Sequence, residues 1–551
     1  MKKLIAIIVA MMCALGSLSL VGCGAKDGDE NTLQIWIKEA GYGVEWVMEA
    51  TQVFSQQDWV KEKYPQLVID QIDTDGDADG GLNYLVGGAT HYDLVMPTAG
   101  LTSGTFLENY KMFEDLTGLY GTQIPGEDIT LGEKMIDNVY DDQAIFLKDE
   151  DNKEVRYSIP WITGAHGWFY NETTYNKYLA GTEWATALPR TTNEFVEMLD
   201  ALLAGIKAKG EEGKNYPIYH HRSAVSYWTS DALTWWAQYE GVDGYNAYFN
   251  GTNAEGEIDV TAAAENTKQT GRLRALEALD SIINYSNKYV DQDWIGEIGS
   301  YTATLGKLRN GTKCVFSSNG DWIENETTIY ETEGHTIRMM RTPVISSIVE
   351  KLSFSDAVDP DAILSEMIRR IDIGDSYKET KTACIQLGSD ITEEDFDAVK
   401  EARNIVSRVG GHGMYIPNYA KAKELAKDFL LFLASDAGIE VCMKNRVYTC
   451  YDYDSSKVDV SGLSQMRKDF IEIMDDAREQ GTLLRNTESF PLVYYGKFGP
   501  FSSNLNPHIG ALFLQNSANS RKSPQEVFES CQKQDGTMSS MMAMAGIISN
   551  N

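Results

Sequence analysis

Positive charge, paired cysteines and long apolar stretches are scarce in this sequence, and each scarcity excludes a class of protein. The 551 residues hold 48 Lys and Arg against 81 Asp and Glu, a formal net charge of −33. Such a chain repels phosphate backbones, so we expect it not to bind nucleic acid. After residue 20, no apolar stretch is long enough to span a membrane. The seven cysteines form no Cys-x-x-Cys pair, which argues against a zinc site or a redox motif.

Catalytic signatures are missing as well. The sequence holds no Gly-x-Ser-x-Gly motif, no His-Glu-x-x-His motif and no phosphate-binding glycine loop. His220 and His221 have no partner ligands at the spacing of a metal site. Cys442 and Cys450 are close enough in sequence to pair, but a buried free thiol is an equal alternative. We therefore expect a protein without enzymatic activity, cofactor or metal.

The N-terminus has the pattern of an export signal. Two lysines precede an uncharged stretch over 4–20, which is shorter than a membrane-spanning helix. The following Leu20-Val21-Gly22-Cys23 resembles the lipobox of bacterial lipoproteins, whose cysteine is acylated and becomes the new N-terminus. The resemblance implies a signal peptide over 1–22, a lipid anchor on Cys23 and a flexible spacer over 23–30. The alternative is an ordinary signal peptide that happens to contain a cysteine.

The start of the exported part alternates between strand and helix patterns. Strand patterns occur at 33–37, 68–72 and 92–96, and helical spacing occurs at 44–54 and 82–89. Strands and helices in this order predict a parallel α/β sheet. Ligands bind beyond the carboxyl ends of the strands in such sheets, so the loops after Ile37, Met96 and Trp161 are candidate ligand loops.

Amphipathic helices are also predicted further along the chain. They occur at 194–207, 273–290 and 421–433. The first of them follows Thr191, Thr192 and Asn193, which are good capping residues. No repeat of fixed period is visible. The chain is therefore predicted to continue as mixed α/β structure rather than as a solenoid.

One acidic segment, Asp73–Gly81, has two interpretations. Asp75, Asp77 and Asp79 match the start of a calcium-binding loop. The twelfth position of such a loop needs a bidentate glutamate, and it is Val86 here. Aspartates between a strand and a helix also cap helices. We expect helix capping rather than calcium binding.

Several short blocks with a characteristic order are spread over about 31–440. The blocks are Trp36-Ile37-Lys38-Glu39 with Gly41-Tyr42-Gly43, Tyr92-Asp93-Leu94-Val95-Met96, Ser158-Ile159-Pro160-Trp161 with Trp168-Phe169-Tyr170-Asn171, Leu188-Pro189-Arg190-Thr191-Thr192-Asn193-Glu194-Phe195, Asn310-Gly311-Thr312-Lys313 with Ser318-Asn319-Gly320-Asp321-Trp322, and Ile416-Pro417 before the helix at 424–430. These blocks resemble segments of the extracellular sugar-binding proteins of ABC importers, and they occur in that family's order, which carries the resemblance. Cys314 departs from the family's small or apolar residue, and the acidic stretch around 346–400 matches no part of the family.

The resemblance implies an α/β protein with a periplasmic-binding-protein-like fold. Such a protein has two lobes, each a mainly parallel sheet flanked by helices, which close on a ligand in the cleft between them. The first lobe is predicted to comprise 31–158 and 341–450, and the second lobe 159–340 and 451–551. The implied partners are a carbohydrate ligand and the permease subunits of an ABC transporter. The protein is expected to be a monomer on the outer face of a cell membrane of the Gram-positive type, attached through its lipid.

A sugar site needs aromatic rings for the C–H faces of the ligand and carboxylates for its hydroxyls. The resemblance places Asp321 and Trp322 in such a site, and Trp322 matches the stacking tryptophan of the family. Glu39 and Tyr42 follow the first strand, where the family contacts its ligand. Further candidates for ligand contact are Trp161, His166 and Trp228. The alternatives are a core tryptophan with a capping aspartate for Trp322 and Asp321, a solvated loop for Glu39 and Tyr42, and structural packing for the other three.

Two other functions stay open at this point. A cell-surface lipoprotein glycoside hydrolase would need two carboxylates about 5–5.5 Å apart if it retains configuration. With 81 acidic residues such a pair can always be proposed, so the sequence gives no specific support for this alternative. A protein of the same fold that binds a non-sugar solute is the second alternative, and the aromatic content weighs against it.

Overall fold

The computed structural model of this chain describes residues 29–39, 41–73, 91–97, 112–142, 145–148, 154–219, 225–253, 255–257, 259–283, 288–291, 301–409, 412–486 and 522–544. The anchor candidate Cys23, the helix predicted at 82–89 and the possible calcium ligands from Asp75 onward lie outside these residues. Among the residues described, no helix is both long enough and apolar enough to cross a membrane.

The strands and helices follow the alternating order expected of an α/β protein. The strands are β1 Thr32–Ile37, β2 Val68–Asp73, β3 Leu94–Met96, β4 Ile145–Lys148, β5 Glu154–Val155, β6 Ile159–Pro160, β7 Gly164–Asn171, β8 Tyr216–Tyr219, β9 Cys314–Gly320, β10 Ile337–Met340, β11 Arg408–Val409 and β12 Gly413–Met414. The helices are α1 Glu45–Gln56, α2 Asp58–Lys63, α3 Thr117–Tyr120, α4 Leu131–Lys134, α5 Asp137–Asp142, α6 Glu172–Leu179, α7 Thr192–Ala208, α8 Val225–Glu240, α9 Val242–Asn250, α10 Val260–Asn266, α11 Thr270–Ile283, α12 Tyr301–Arg309, α13 Ile323–Glu326, α14 Pro360–Asp372, α15 Tyr377–Gln386, α16 Glu393–Asn404, α17 Lys423–Ala434, α18 Asp436–Lys444, α19 Gln465–Glu479 and α20 Pro524–Met544. Short 3₁₀ turns occur at Glu183–Ala185, Thr328–Tyr330, Ser346–Lys351 and Ser455–Lys457.

The first sheet has three parallel strands, with β1 at its centre between β2 and β3. Residues 33–37 are all buried, as expected of a parallel strand that is covered on both faces. Helix α1 packs through Trp46, Val47, Ala50 and Phe54, which form one apolar face at helical spacing. The predicted parallel arrangement of these three strands is confirmed.

The second sheet has five strands, in the order β10-β7-β9-β8, with β11 added at the start of β7. β8 and β9 are parallel, but β7 runs antiparallel to β9, β10 and β11. The expectation of a mainly parallel sheet in this lobe therefore needs one correction, which concerns β7. This strand follows shortly after β6, and its first residues pair with the last residues of β9, so it enters the second sheet at the end where β9 finishes.

Two stretches of chain run side by side between the sheets. Met414 of β12 pairs with Ile159 of β6, and Arg408 of β11 pairs with Ala165 of β7. The backbone N–H of Trp161 donates to the carbonyl of His412 over 3.2 Å. More than one crossing of this kind is the connection expected for two hinged lobes.

Two hydrophobic cores organise the molecule. The first core surrounds the first sheet with α1, α17 and α18, and it continues beneath one face of the second sheet, where α19 packs. The second core covers the other face of that sheet, with α7, α8 and α11. β7 shows the division, because Trp168 and Tyr170 lie in the second core while Phe169 between them lies in the first.

The division of the chain between the two cores does not coincide with the predicted lobe segments, which stay a prediction. The sequence assigns 341–450 to the first lobe, whereas Leu364, Met367 and Val399 of helices α14 and α16 pack in the second core. Further along the chain, residues pack in the first core again, among them Phe429 of α17. An apolar helix face predicts burial without indicating which of two sheets it covers, and this explains the difference.

The cysteines described after residue 300 are all buried free thiols. Of the two alternatives for Cys442 and Cys450, the structure therefore has the unpaired form. Burial raises the pKa of both thiols to about 12. Their role is consequently that of small apolar core residues.

Candidate ligand site

The loop after β1 meets the end of β9 at the junction of the two sheets. The Tyr42 hydroxyl donates a hydrogen bond to Asp321 Oδ1 over 2.9 Å, in a buried setting. Gly41 has a φ of +78°, and a Cβ at this position would lie 3.1 Å from the Cβ of Trp322. Glycine is the residue that adopts this backbone conformation without strain. The carboxyl ends of strands from two sheets are thus in contact, at the position where α/β sheets bind ligands.

Five aromatic rings pack around this contact and form what we call the ring cluster: Tyr42, Trp161, His166, Tyr227 and Trp322. Tyr42 stands edge-on to Trp161 and Trp322, with ring centroids 5.8 Å and 6.1 Å away. His166 lies 5.4 Å from both Tyr227 and Trp322. These separations and the edge-to-face geometry are favourable for aromatic rings. The ring cluster therefore joins side chains from both sheets into one aromatic surface.

Arg467 of α19 binds two carboxylates beside the ring cluster. Its Nη1 donates to Asp321 Oδ2 over 2.8 Å and its Nε donates to Glu324 Oε2 over 3.0 Å, and no more than 2% of any of the three side chains is exposed. The pKa of Asp321 is raised, because the effect of burial is larger than the opposing effects of Arg467 and of the Tyr42 hydroxyl, which lower it. Burial also opposes ionisation of Glu324, but the nearby charge of Arg467 brings its pKa below the usual range.

Several buried polar atoms in and beside the ring cluster have no hydrogen-bond partner among the described residues. They include Trp161 Nε1, His166 Nδ1 and Glu326 Oε2. Burial lowers the pKa of His166 to about 4, so this imidazole is neutral at pH 7. A buried polar group without a partner costs about 1–3 kcal/mol, so each of these atoms is a candidate for contact with a polar molecule.

The structure brings most of the predicted site residues together. Tyr42, Trp161, His166, Asp321 and Trp322 meet directly, and the charge of Glu39 acts on Glu326 beside them. Asp321 has a different role from the one predicted, because both of its oxygens are bonded within the protein and none of its surface is exposed. It therefore positions Tyr42 and Arg467 instead of receiving a ligand hydroxyl.

Trp228 does not join the other predicted residues. Its ring is completely buried in the second core, 5.7 Å from the ring of Trp168, so the predicted ligand contact is not supported. The preceding residue, Tyr227, is the one in the ring cluster. Consecutive helix residues point about 100° apart, so one faces the rings when the other faces the core.

Sequence reasoning missed two further residues of the site. Glu326 lies four residues after Trp322, and helical spacing in this short segment could have indicated it. Arg467 is 146 residues away from Asp321, and no local pattern links the two. Within the part of the chain that the structure describes, no three His, Cys, Asp or Glu residues form a group that could hold a metal ion.

Comparison with known proteins shows the fold. No family model and no curated protein matched the sequence. Solved structures do match it: maltose-bound MalE3 of T. maritima has 14% identity and a TM-score of 0.52, covering 92% of this chain and 99% of that one. A chitin oligosaccharide binding protein has 12% identity and a TM-score of 0.53, covering 93% and 100%. A Streptococcus pneumoniae solute-binding protein in complex with the blood group A-trisaccharide has 12% identity and a TM-score of 0.51, covering 91% and 98%.

These likenesses extend over nearly the full length of each chain. The fold is therefore that of the two-lobed solute-binding proteins, and the predicted fold class is confirmed. At identities of 12–14% the comparison concerns the backbone and does not transfer a ligand.

Proposed function

We propose that this chain is an extracellular solute-binding lipoprotein that captures a mono- or oligosaccharide and delivers it to the permease of an ABC transporter. The observation that carries the proposal is the ring cluster with its buried, unpartnered polar atoms. A saccharide matches both features, since its C–H faces stack on rings and its hydroxyls both donate and accept hydrogen bonds. The fold supports the proposal, because neighbours of the same fold are named for maltose, chitin oligosaccharide and a trisaccharide.

Each part of the site has a role in the proposed capture. Trp322 is half-buried and offers its ring for stacking. The Trp161 indole N–H donates to a ligand oxygen, and neutral His166 adds a polar contact through Nδ1. The Tyr42–Asp321 hydrogen bond connects the two sheets, so it lies where the proposed lobe closure brings them together. Binding is non-covalent, and no bond of the ligand is broken.

Trp322→Ala is expected to weaken saccharide binding by about tenfold to a hundredfold, because truncation of an aromatic anchor costs about 2 kcal/mol or more. The ligand is first found by thermal-shift screening of a saccharide panel, in which a compound at 100 times its Kd adds about 2.7 kcal/mol. Titration calorimetry then compares the variant with the wild-type protein.

Trp59→Ala is the matched control for this experiment. Trp59 is also a half-buried tryptophan, and it packs on Phe54 in the first core, with the ring centroids 5.7 Å apart. We expect its truncation to lower stability while affinity stays the same. Equal affinities of Trp322→Ala and wild-type protein would contradict the proposed site.

A lipid anchor at Cys23 is part of the proposal and is supported by the Leu-Val-Gly-Cys sequence. Cys23→Ser is expected to move the protein from the membrane fraction to the medium, because this substitution removes the acylated side chain. Immunoblots of fractionated cells measure the distribution, and Cys314→Ser serves as the control that keeps the lipobox. A Cys23→Ser protein that stays in the membrane fraction would contradict the anchor.

We place the protein on the outer face of a Gram-positive membrane, where a tether prevents its loss by diffusion.

A further inference from the structure

Glu326 is a carboxylate in the candidate site that has no assigned role. It ends α13, and its backbone N–H donates to the carbonyl of Trp322 over 3.1 Å, so the two side chains lie on neighbouring turns of one face. A Cβ built on Gly41 would lie 3.3 Å from Trp322 Cγ and 3.5 Å from Glu326 Oε1. Glu326 therefore stands at the contact between the β1 loop and the ring cluster.

A second carboxylate, Glu39, acts on Glu326 with the same sign of charge. Burial raises the pKa of Glu326, and the negative charge of Glu39 raises it further. In the described part of the chain neither side chain forms an ion pair, and Glu326 Oε2 has no hydrogen-bond partner. The nearby arginines are occupied elsewhere. Arg467 binds Asp321 and Glu324, and Arg446 donates to Asn325.

Two like charges that lie near each other without a cation repel one another. A ligand with a positive charge offsets this repulsion. A neutral ligand leaves the repulsion in place and buries both carboxylates further. The surroundings also suit a cation, because ammonium groups are attracted to the faces of Trp and Tyr rings. The acidic balance of the whole chain, a net charge of −33, favours the approach of such a ligand.

The buried polar atoms without a hydrogen-bond partner indicate the remaining part of the ligand. The Trp161 indole N–H is a buried donor without a partner among the described residues, and an acceptor oxygen of the ligand would satisfy it. Carboxylate Oε2 of Glu326 requires a donor. A ring oxygen or hydroxyl meets the first need and an ammonium group meets the second.

We propose that the site takes a saccharide with a free amino group, whose ammonium is received by Glu326 and drawn in by Glu39. This inference rests on the proposed function and narrows it from carbohydrates in general to amine-bearing sugars. It gives Glu326 a specificity role, since the contact to this residue separates a charged amine from its neutral acylated form.

The test compares amino sugars with their N-acetyl counterparts by titration calorimetry at pH 6, where the amine is protonated. The probes are glucosamine, galactosamine, mannosamine and the β-1,4-linked dimer and trimer of glucosamine. We expect at least one amine to bind about tenfold or more tightly than its N-acetyl form. Glu326→Gln is expected to reduce this preference to less than twofold, and it should fold at least as stably because it relieves the repulsion from Glu39.

Glu333→Gln is the control for a general effect of charge, since Glu333 is exposed and is not part of the ring cluster. This variant should keep the full preference for the amine. Equal binding of amine and N-acetyl forms, no binding by any amine, or an unchanged preference in Glu326→Gln would overturn the inference. Binding of neutral saccharides alone would leave the proposed function standing, and failure of every saccharide would overturn the proposed function as well.

Discussion

Replacement of Arg467 by methionine is expected to lower the free energy of unfolding by about 3–5 kcal/mol. The variant keeps most of the side-chain volume but leaves Asp321 and Glu324 buried without their shared cation, and stranded buried charges cost this amount. Arg467 also donates to the backbone carbonyl of Asp321 over 3.1 Å, and this bond is lost too. Urea unfolding curves of variant and wild-type protein measure the difference.

Arg274→Met provides the matched control, because Arg274 also contacts two carboxylates, Glu277 and Glu350, but at the surface. Its side chain is 30% exposed and those of its partners 42–44%, so we expect a loss of at most about 1 kcal/mol. A similar loss in both variants would show that burial of the Arg467 network does not matter.

The pH dependence of the Arg467→Met deficit gives a second readout. Without the arginine, the folded-state pKa values of Asp321 and Glu324 are expected to lie above their unfolded values, because burial raises both and the main opposing charge is gone. A carboxyl with a raised folded-state pKa favours the native state at low pH and disfavours it as pH rises through that pKa. The deficit should therefore be smaller at pH 5 than at pH 8. A constant deficit would indicate lost packing instead of stranded charge.

The parts of the fold that were predictable from sequence have local causes. Strands β1 to β3 follow from short apolar segments, and their parallel order follows from the helical patterns that separate these segments in the sequence. The start of α7 follows from Thr191, whose side chain accepts the backbone N–H of Glu194 as a capping residue does. In each case the residues that form the structure are close neighbours in the sequence.

The parts that were not predictable depend on contacts between distant residues. The Tyr42–Asp321 hydrogen bond joins positions 279 residues apart, so the sequence suggests both residues for the site without indicating that they bond to each other. The same limit explains the opposite outcomes for Tyr227 and Trp228, since both belong to one aromatic helix and only its rotation decides which ring faces the core. It also explains why the sequence does not indicate that α14 and α16 pack in the second core.

Asp535→Asn is the second substitution for which we expect a loss of about 3–5 kcal/mol. Asp535 lies in α20, where Oδ2 receives Nη1 of Arg272 over 2.6 Å and the hydroxyl of Tyr248 over 2.6 Å. The side chains of Arg272 and Asp535 are 1% and 0% exposed. The neutral amide leaves the guanidinium charge uncompensated inside the second core, which is the costly way to break a buried pair. Chemical unfolding measures the loss.

A double variant separates the stranded charge from other causes. Arg272→Met with Asp535→Leu replaces both partners by apolar side chains, and exchanges of this kind are often neutral or stabilising. We therefore expect the double variant to be more stable than Asp535→Asn, although it removes more polar contacts. Glu529→Ala is the control on the exposed side of the same helix, with an expected change within about 0.5 kcal/mol. If the double variant is less stable than the single one, the ion pair itself stabilises the docking of α20, and the cost of Asp535→Asn is not explained by the unpaired charge alone. Val527 and Cys531, which are completely buried on the same helix face, would then be insufficient to hold α20 without it.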